Sequence, residues 1–430
     1  MSKIKEIKAR EILSSGSDPS LEVKVTLDSG IEGVASVPYG ASAGTHEAYV
    51  MFDKDPKRFM GKGMLKAVEN VNKITNKLIG KDPYNQRGLD ELMITSDGTE
   101  NKSKIGANAI LGVSLAIARA ASNEKRTPLY KYIRETFNIN VKEWRLPNPM
   151  MVVIEGGKHA DQSTDFQEYM ISPIGSVSVK ENVRMGIEIY QNLKKVLKEK
   201  GFNTNVGNEG AFAPAGITDN ELPIKIILEA IQKSGYKPLD DVGVSIDAAA
   251  SEFFEDGKYN LKIENKKLTS EQLIDYYLPW FNKYPIVTIE DMLHEDDWEN
   301  WSKLTKKSGE ISVIGDDLTV TNPKRLQKAI DTKAINAILI KLNQIGTLSE
   351  CVDCCMLARQ HGMMTVVSHR GGGETNDTSM VDLAVAVGSG FLKVGPSRGE
   401  RVCKYNRLME IEDELGNKAK VVGKDFRKVL

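Results

Sequence analysis

Three acidic residues in the second half of the chain each follow a short apolar run. Asp247 follows Val-Ser-Ile, Glu290 follows Val-Thr-Ile and Asp316 follows Val-Ile-Gly. If these runs are neighbouring strands of a barrel, the three carboxylates meet at its mouth and repel one another unless a cation joins them. Ligands that are all oxygen favour a hard ion, Mg²⁺ before Zn²⁺ or copper. A single such acid is equally well explained as a helix cap, but three in register favour a metal site.

Cationic residues follow three further apolar runs. Lys341 follows Ile-Leu-Ile, Ser368-His369-Arg370 follows Thr-Val-Val, and Lys393 follows Phe-Leu. A lone lysine at a strand end usually extends into solvent. Beside a dication and another cation its ammonium proton is destabilised, so Lys341 is a candidate base near neutral pH. Lys393, Arg370 and His369 suit a phosphate and a carboxylate, which indicates a small, multiply anionic substrate.

Further candidate residues lie in loops marked by glycine or glutamine. Gln167 and Glu168 precede the second apolar run, and Glu209 lies in the tight sequence Gly-Asn-Glu-Gly. His159 ends the loop Gly-Gly-Lys-His after the first run, although a lone loop histidine is often incidental. The loop 38–44, which includes Ser42, has the small residues of a mobile segment, a weak signal on its own.

The secondary-structure elements that carry these residues lie after residue 150. Eight short apolar runs recur there, most of them followed by a helical stretch, and no sequence repeat accompanies them. This number and size predict an α/β fold with a (β/α)₈-type barrel, although the pattern alone leaves an open doubly wound sheet possible. The runs are 150–154, 169–171, 242–246, 286–289, 311–314, 337–340, 364–367 and 391–392.

The first 140 residues have a different pattern, with strands followed by helices. Residues 21–27 alternate with period two, and residues 33–37 continue after a turn. Helical spacing follows over 63–78, and the stretch 107–121 is apolar nearly all round, which predicts a buried helix. We therefore predict an α+β domain over residues 1–140. Two prolines in Arg145-Leu-Pro-Asn-Pro149 separate it from a catalytic barrel over residues 145–430.

Composition excludes several classes of partner. The chain has 430 residues, with 58 Lys and Arg against 59 Asp and Glu, so no charge excess points to nucleic acid or to a membrane surface. No apolar run is long enough to span a bilayer, and the N-terminus lacks the apolar core of a signal peptide. Four cysteines are too few for a disulfide framework, and three of them share the helical stretch 350–359. We expect a cytoplasmic protein with buried thiols.

The sequence closely resembles the enolase family over nearly its whole length. The matching segments include Gly61-Lys-Gly63, Asp97-Gly-Thr99, Lys102-Ser103, Gly106-Ala-Asn-Ala-Ile-Leu-Gly-Val-Ser-Leu-Ala116, Ser251-Glu-Phe-Phe254, Tyr284-Pro-Ile-Val-Thr-Ile-Glu-Asp291, Glu295-Asp-Asp-Trp298, Asp316-Asp-Leu-Thr-Val-Thr-Asn-Pro-Lys-Arg325 and Lys341-Leu-Asn-Gln-Ile-Gly-Thr-Leu-Ser-Glu350. The resemblance implies a barrel whose first strands are atypical in direction, two Mg²⁺ ions and a homodimer or larger homo-oligomer. It also implies reversible dehydration of 2-phosphoglycerate, a phosphorylated three-carbon acid, to phosphoenolpyruvate.

The resemblance also implies a role for each candidate residue. Asp247, Glu290 and Asp316 resemble the ligands of the tightly bound magnesium, and Ser42 resembles the lid residue that ligates the second ion. Lys341 resembles the base that removes the C2 proton, and Glu209, paired with Glu168, the acid that assists loss of the C3 hydroxyl. Lys393 resembles the cation that faces the substrate carboxylate. The remaining substrate contacts are implied for His159, Gln167, Ser368, His369 and Arg370, with Arg370 on the phosphate.

Several segments depart from the family pattern. In the N-terminal part these are Ser14-Ser-Gly-Ser-Asp-Pro19, Tyr39 and Ala43 in the mobile loop, and Phe52 in place of an arginine, which puts the usual dimer interface in question. Nearer the chemistry, Glu155 replaces an asparagine and Asn208 replaces an aspartate beside Glu209. One glycine is inserted in Ser368-His-Arg-Gly-Gly-Gly-Glu-Thr375, so Gly371 lacks a hydroxyl that usually contacts the phosphate. The segment 393–401 is one residue short.

These departures leave alternatives to 2-phosphoglycerate dehydration. One is an enolase paralogue that acts on a related phosphonate, such as phosphonopyruvate or its hydrated form, because the changes concentrate around the phosphate and the general acid. Another is a catalytically silent binding protein. The presence of all three metal carboxylates and both lysines argues against the latter, since mutually repelling acids at one barrel mouth destabilise the fold unless they serve a function.

Overall fold

An antiparallel three-stranded sheet forms the first part of the fold, in a computed structural model that describes residues 2–40 and 43–428. Its strands are β1 (Ile4–Leu13), β2 (Pro19–Leu27) and β3 (Glu32–Val37), with β2 in the middle. Alternate residues of β2 are buried, as the period-two pattern predicts. Four helices accompany the sheet: Leu65–Leu78, Gln86–Asp97, Ala107–Glu124 and Leu129–Thr136.

The helix Ala107–Glu124 is the core of this part. It packs across β2 and β3, and its residues are buried on nearly every side. Alanine, leucine and isoleucine fill it, so it forms readily and buries apolar surface on each face. The prediction of a buried helix from residue 107 is confirmed.

Eight strands close into a barrel in the described part of the chain. They are Asn148–Glu155, Glu168–Pro173, Val242–Asp247, Ile286–Glu290, Ser312–Gly315, Ala337–Ile340, Met364–Ser368 and Phe391–Val394, numbered here as barrel strands one to eight. All eight predicted apolar runs fall on them, which confirms the barrel and removes the open sheet as an alternative. Buried side chains such as Met150, Leu339 and Phe391 fill the interior.

Barrel strand two is antiparallel to both of its neighbours, whereas the other neighbouring pairs are parallel. This is the atypical direction that the family resemblance implies. Reversal places the first residue of this strand, Glu168, level with the last residues of the strands beside it. Glu168 pairs with Glu155 on one side and with Asp247 on the other, and Asp247 pairs with Glu290. Four acids from four adjacent strands therefore share one end of the barrel.

Helices surround the barrel and connect its strands. They are Val179–Glu199, Leu222–Lys233, Ser270–Lys283, Trp298–Lys307, Pro323–Thr332, Leu342–Ile345, Leu348–Gln360, Ser379–Val387 and Gly399–Leu415. Cys351, Cys354 and Cys355 are buried thiols on Leu348–Gln360, as predicted. Within the described residues, no helix has both the length and the apolar character needed to cross a membrane. The remaining short strands are Tyr39–Gly40, Trp144–Leu146, Phe254–Glu255, Lys258–Leu261, Lys266–Leu268, Gly372–Gly373 and Ala419–Val421.

The inserted glycine segment joins the barrel to the N-terminal part. Gly372 and Gly373 pair antiparallel with Gly40 and Tyr39. Ser15 N–H donates to Glu374 O at 2.8 Å, and its Oγ accepts from Glu374 N–H at 3.0 Å. We call this set of contacts the glycine junction. Its fit is close, because a Cβ on Gly373 would lie 2.6 Å from Tyr39 O and 2.7 Å from the Tyr39 ring.

Gly373→Ala should destabilise the protein, because the added methyl group meets backbone that has to move. We expect a loss of about 1–3 kcal/mol in the free energy of unfolding, measured by urea denaturation. Gly399→Ala is the matched control, since a Cβ there would meet no atom within 4 Å. Equal stability of the two variants would show that the glycine junction is loosely packed.

Candidate active site

The three predicted metal carboxylates lie at the ends of adjacent barrel strands. Asp247 and Glu290 end strands three and four, Asp316 directly follows strand five, and all three are buried. Their oxygens do not form one tight group within the described residues, because two lysine ammonium groups lie among them. The site thus brings together the acids and the bases that the sequence singled out.

Lys393 is surrounded by carboxylates. Its Nζ lies 2.7 Å from Glu168 Oε2, 3.0 Å from Asp247 Oδ2 and 2.7 Å from Glu290 Oε1. Burial opposes the ammonium charge, but these three acids outweigh it and raise the pKa of Lys393 well above its ordinary value. A buried lysine in this position is a permanent cation at the barrel mouth.

Lys341 pairs with Asp316. Its Nζ donates to Asp316 Oδ2, and Gln344 Nε2 donates to the other oxygen at 2.8 Å. Burial, Arg370 and Lys393 each lower the pKa of Lys341, as the sequence suggested, yet Asp316 outweighs them and the pKa is raised. The sequence-based prediction of a base near neutral pH applies to Lys341 beside a dication, and it stays a prediction.

The acidic group carries more negative charge than the lysines offset. Burial raises the pKa of Asp247, and burial together with Asp247 raises that of Glu290 well above its ordinary value. Glu290 Oε2 is buried and accepts no hydrogen bond from any described residue. Oxygen donors with uncompensated charge fit a hard dication such as Mg²⁺. Ser42, which the resemblance assigns to a second ion, lies outside the described residues.

A second acidic group adjoins the first. Asp291, Asp316 and Asp317 bring carboxylate oxygens within 4.8 Å of one another. Asp291 Oδ1 accepts from Asp316 N–H at 3.0 Å, and its Oδ2 accepts from Asp317 N–H at 2.8 Å. Asp291 therefore fixes the backbone that carries Asp316, a role that no sequence pattern indicated.

The other half of the mouth pairs acids with histidines. His159 Nδ1 lies 3.3 Å from Glu168 Oε1 and 3.5 Å from Glu209 Oε1, and His369 Nε2 lies 3.2 Å from Glu209 Oε2. Burial disfavours an ionised Glu209, but His369 and His159 lower its pKa well below the ordinary value. Burial lowers the pKa of His159, yet Glu168 and Glu209 raise it overall, whereas the pKa of His369 is lowered. These four side chains can share and transfer protons.

Arg370, the expected phosphate ligand, is buried against a carboxylate from the N-terminal part. Its guanidinium makes contacts of 3.0 to 3.1 Å with both oxygens of Glu47. Gln344 Nε2 also approaches Glu47, at 3.3 Å. Glu47 was not among the residues predicted from sequence, and its position three residues beyond the glycine loop was the only signal available. The predicted site residues Ser368 and Gln167 are also buried, and Ser368 Oγ donates to His369 O at 3.0 Å.

Gly371 touches the proton-handling side chains. A Cβ at this position would lie 2.5 Å from His159 Cε1 and 2.6 Å from Glu209 Oε1. The missing hydroxyl noted in the sequence therefore has a steric reason, because the space is filled by the imidazole and the acid. Glu155, flagged only as a departure, is buried beside the same group.

Two family models match the chain and together cover most of its length. The model described as the enolase N-terminal domain matches residues 4–133. The model described as the enolase C-terminal TIM barrel domain matches residues 143–430. The first range contains the three-stranded sheet, three of its four helices and the start of the fourth, and the second contains all eight barrel strands.

Glu290→Gln should separate folding from metal binding. The pKa of Glu290 is higher in the folded than in the unfolded protein, so this acid lowers the free energy of unfolding as pH rises from the unfolded-state pKa to the folded-state pKa. The neutral variant lacks this cost and should be at least as stable as the parent in EDTA at pH 8. Mg²⁺ at a hundred times its Kd should stabilise the parent by about 2.7 kcal/mol and the variant much less, measured by thermal unfolding. Glu299→Gln, on a surface helix, is the control. An equal magnesium response in Glu290→Gln would remove Glu290 from the ligand set.

Proposed function

The chain belongs to the enolase family and is a lyase of the enolase superfamily, and from this premise we propose that it dehydrates 2-phosphoglycerate reversibly to phosphoenolpyruvate. The observation that carries the proposal is the composition of the barrel mouth. A lysine base, an acid with two histidines, a metal-type carboxylate set and two buried cations for anionic groups all converge there.

Asp247, Glu290 and Asp316 are the proposed ligands of Mg²⁺, with Ser42 proposed for a second ion. When bound, magnesium supplies positive charge for the substrate carboxylate, whose charge increases as the C2 proton leaves. A lysine or histidine base that works beside one or two magnesium ions is the general pattern of this superfamily, so membership of the family already leads us to expect this pairing.

The residues of the chain divide the reaction between them. Lys341 in its neutral form takes the C2 proton, and the electron pair of that C–H bond forms the C2–C3 double bond. The C3–O bond breaks, and Glu209 delivers the proton with which the hydroxide leaves as water. Because the pKa of Glu209 is lowered and that of His159 is raised, His159 holds this proton more readily than Glu209 and can pass it across the 3.5 Å between them. Burial strengthens each of these interactions at the moment when charge develops.

The cationic and amide side chains at the barrel mouth bind the substrate. Lys393 faces the substrate carboxylate, and Arg370 takes the phosphate, for which its fork of donors is suited. His159, Gln167, Ser368 and His369 complete the contacts. Arg370 is held by Glu47 in this structure, so phosphate binding has to compete with that ion pair.

One observation favours the second candidate, a phosphonate such as phosphonopyruvate or its hydrated form. Gly371, which lacks the hydroxyl that the family pattern places against the phosphate, packs against His159 and Glu209, and the glycines after it pair with Gly40 and Tyr39. The silent binding protein is the weakest candidate, since burying Asp247, Glu290 and Asp316 together costs free energy that a protein without chemistry has no reason to spend.

Purified protein mixed with 2-phosphoglycerate and Mg²⁺ should show rising absorbance at about 240 nm as phosphoenolpyruvate forms, and EDTA should abolish it. Lys341→Ala should lose about 10²- to 10⁴-fold in kcat because the base is gone. Lys306→Ala, on an exposed helix surface, should keep the parental rate. Folded protein that binds Mg²⁺ but leaves 2-phosphoglycerate unchanged would reject this substrate. Turnover of phosphonopyruvate, followed by ³¹P NMR, would then establish the alternative.

Gly371→Ala tests the acid half of the site. The added methyl group has to displace His159 or Glu209, and a misplacement of about 1 Å can lower kcat roughly 100-fold. Gly399→Ala serves again as the matched control, and thermal unfolding checks that both variants are folded. Parental kcat in Gly371→Ala would mean that the proton-handling group tolerates displacement.

A further inference from the structure

A buried carboxyl group that the proposed reaction does not use lies directly behind Glu209. Glu155 is the last residue of barrel strand one, and its side chain has no exposed surface. Its Oε1 accepts from Glu209 N–H at 3.2 Å and from Ala211 N–H at 3.0 Å, while its Oε2 accepts from Glu209 N–H at 3.1 Å. The carboxyl group therefore binds the backbone that carries the acid.

The turn 207–211 is held on its other side through carbonyl groups. Tyr190 Oη and Ser397 Oγ donate to Gly210 O at 2.6 and 2.9 Å, and Arg398 Nη2 donates to Gly207 O at 2.7 Å. None of these bonds uses the amides that Glu155 binds. Loss of the Glu155 side chain would leave two buried N–H groups without that acceptor, which is costly in a buried turn.

The fit between the turn and Glu155 is specific. A Cβ on Gly207 would lie 2.5 Å from Glu155 Cδ, so the carboxyl group rests directly against the glycine backbone. The family pattern noted above has an amide at position 155 and a carboxylate at position 208. This chain has the reverse, with the acid buried inside the turn and Asn208 exposed. The two departures are therefore parts of one arrangement.

We propose that Glu155 is a positioning residue for Glu209, fixing the turn 207–211 so that the Glu209 carboxyl group faces His159 and His369. The inference rests on the proposed role of Glu209 as the acid of the dehydration. Glu155 contacts backbone and not the reacting atoms, so it acts through Glu209 alone.

Protonation of Glu155 fits this role. Burial and Glu209 raise its pKa to about 8, with His159 opposing them. Within residues 2–40 and 43–428, the charged or titratable groups that act on it most strongly are Glu168, His159, Glu209 and Tyr190. Below pH 8 the proton can occupy Oε2 while Oε1 accepts both amides. Above pH 8 a second negative charge lies beside Glu209 and opposes proton delivery, which leaves Glu209 negative. We therefore expect kcat to decline as pH rises through about 8.

Two variants test the proposal with 2-phosphoglycerate and Mg²⁺ between pH 6 and 9. Glu155→Gln imitates the acid form, with one oxygen for the amides and no ionisation. Glu155→Ala removes the acceptor and should lower kcat about 10- to 100-fold while KM changes less than about threefold. Glu155→Gln should stay within about threefold of the parental kcat at pH 7 and should lack the decline near pH 8.

Parental kcat in Glu155→Ala, or equal losses in both variants, would overturn the proposal. If kcat of Glu155→Gln still declines near pH 8, the decline comes from another titrating group and not from Glu155. Hydrogen exchange of the Glu209 and Ala211 amides gives a test that needs no substrate. Faster exchange in Glu155→Ala than in Glu155→Gln supports positioning, and equal protection contradicts it. If the parent does not turn over 2-phosphoglycerate, the proposed function fails while the exchange measurement still decides the role of Glu155.

Discussion

Like charges buried together at one end of the barrel are the constraint on which the rest of the structure depends. Glu168, Asp247, Glu290 and Asp316 place four carboxylates at the mouth, and Lys393 and Lys341 place two ammonium groups among them. Burial makes any uncompensated charge expensive, so the surrounding strands have to hold each group at a fixed separation. Burial, together with the neighbouring acids, raises the pKa values of Asp247 and Glu290 even though Lys393 lies against both.

The N-terminal part completes this charge balance. Glu47 supplies the carboxylate that holds Arg370, and residues on both sides of it are hydrogen-bonded to the barrel part of the chain. Thr45 donates to Glu295 from both its hydroxyl, at 2.6 Å, and its backbone N–H, at 3.0 Å, and Ala48 N–H donates to Gln344 O at 2.8 Å. A buried arginine needs a partner, and here the partner comes from a different part of the chain. Both parts of the chain therefore contribute residues to one site.

Sequence patterns predicted what depends on local periodicity and missed what depends on distant pairing. Asp247, Glu290, Asp316, Lys341 and Lys393 were found because each follows an apolar run that proved to be a barrel strand. Glu47 and Asp291 were missed, since their roles come from Arg370 and the Asp316 backbone, which no spacing reveals. The strand Ile4–Leu13 was also missed, because only Ile4 and Ile7 are fully buried and its charged residues hide the alternation. Sequence patterns also could not predict that Glu168 lies at the same end of the barrel as the other acids, because this depends on the reversed direction of barrel strand two.

The departures from the family pattern are neighbours in space, which argues against independent drift. Tyr39 pairs with Gly373 and lies edge-on to Phe52, with ring centroids 5.9 Å apart, while Ser15 binds Glu374 at the same glycine junction. Around the acid, Glu155, Gly371 and the shortened segment with Ser397 and Arg398 all contact the turn of Glu209 or its side chain. Changes that accumulate without constraint would scatter over the surface, where substitutions cost little. This chain instead departs from the family pattern in two co-packed groups, one at the glycine junction and one at the turn that carries Glu209.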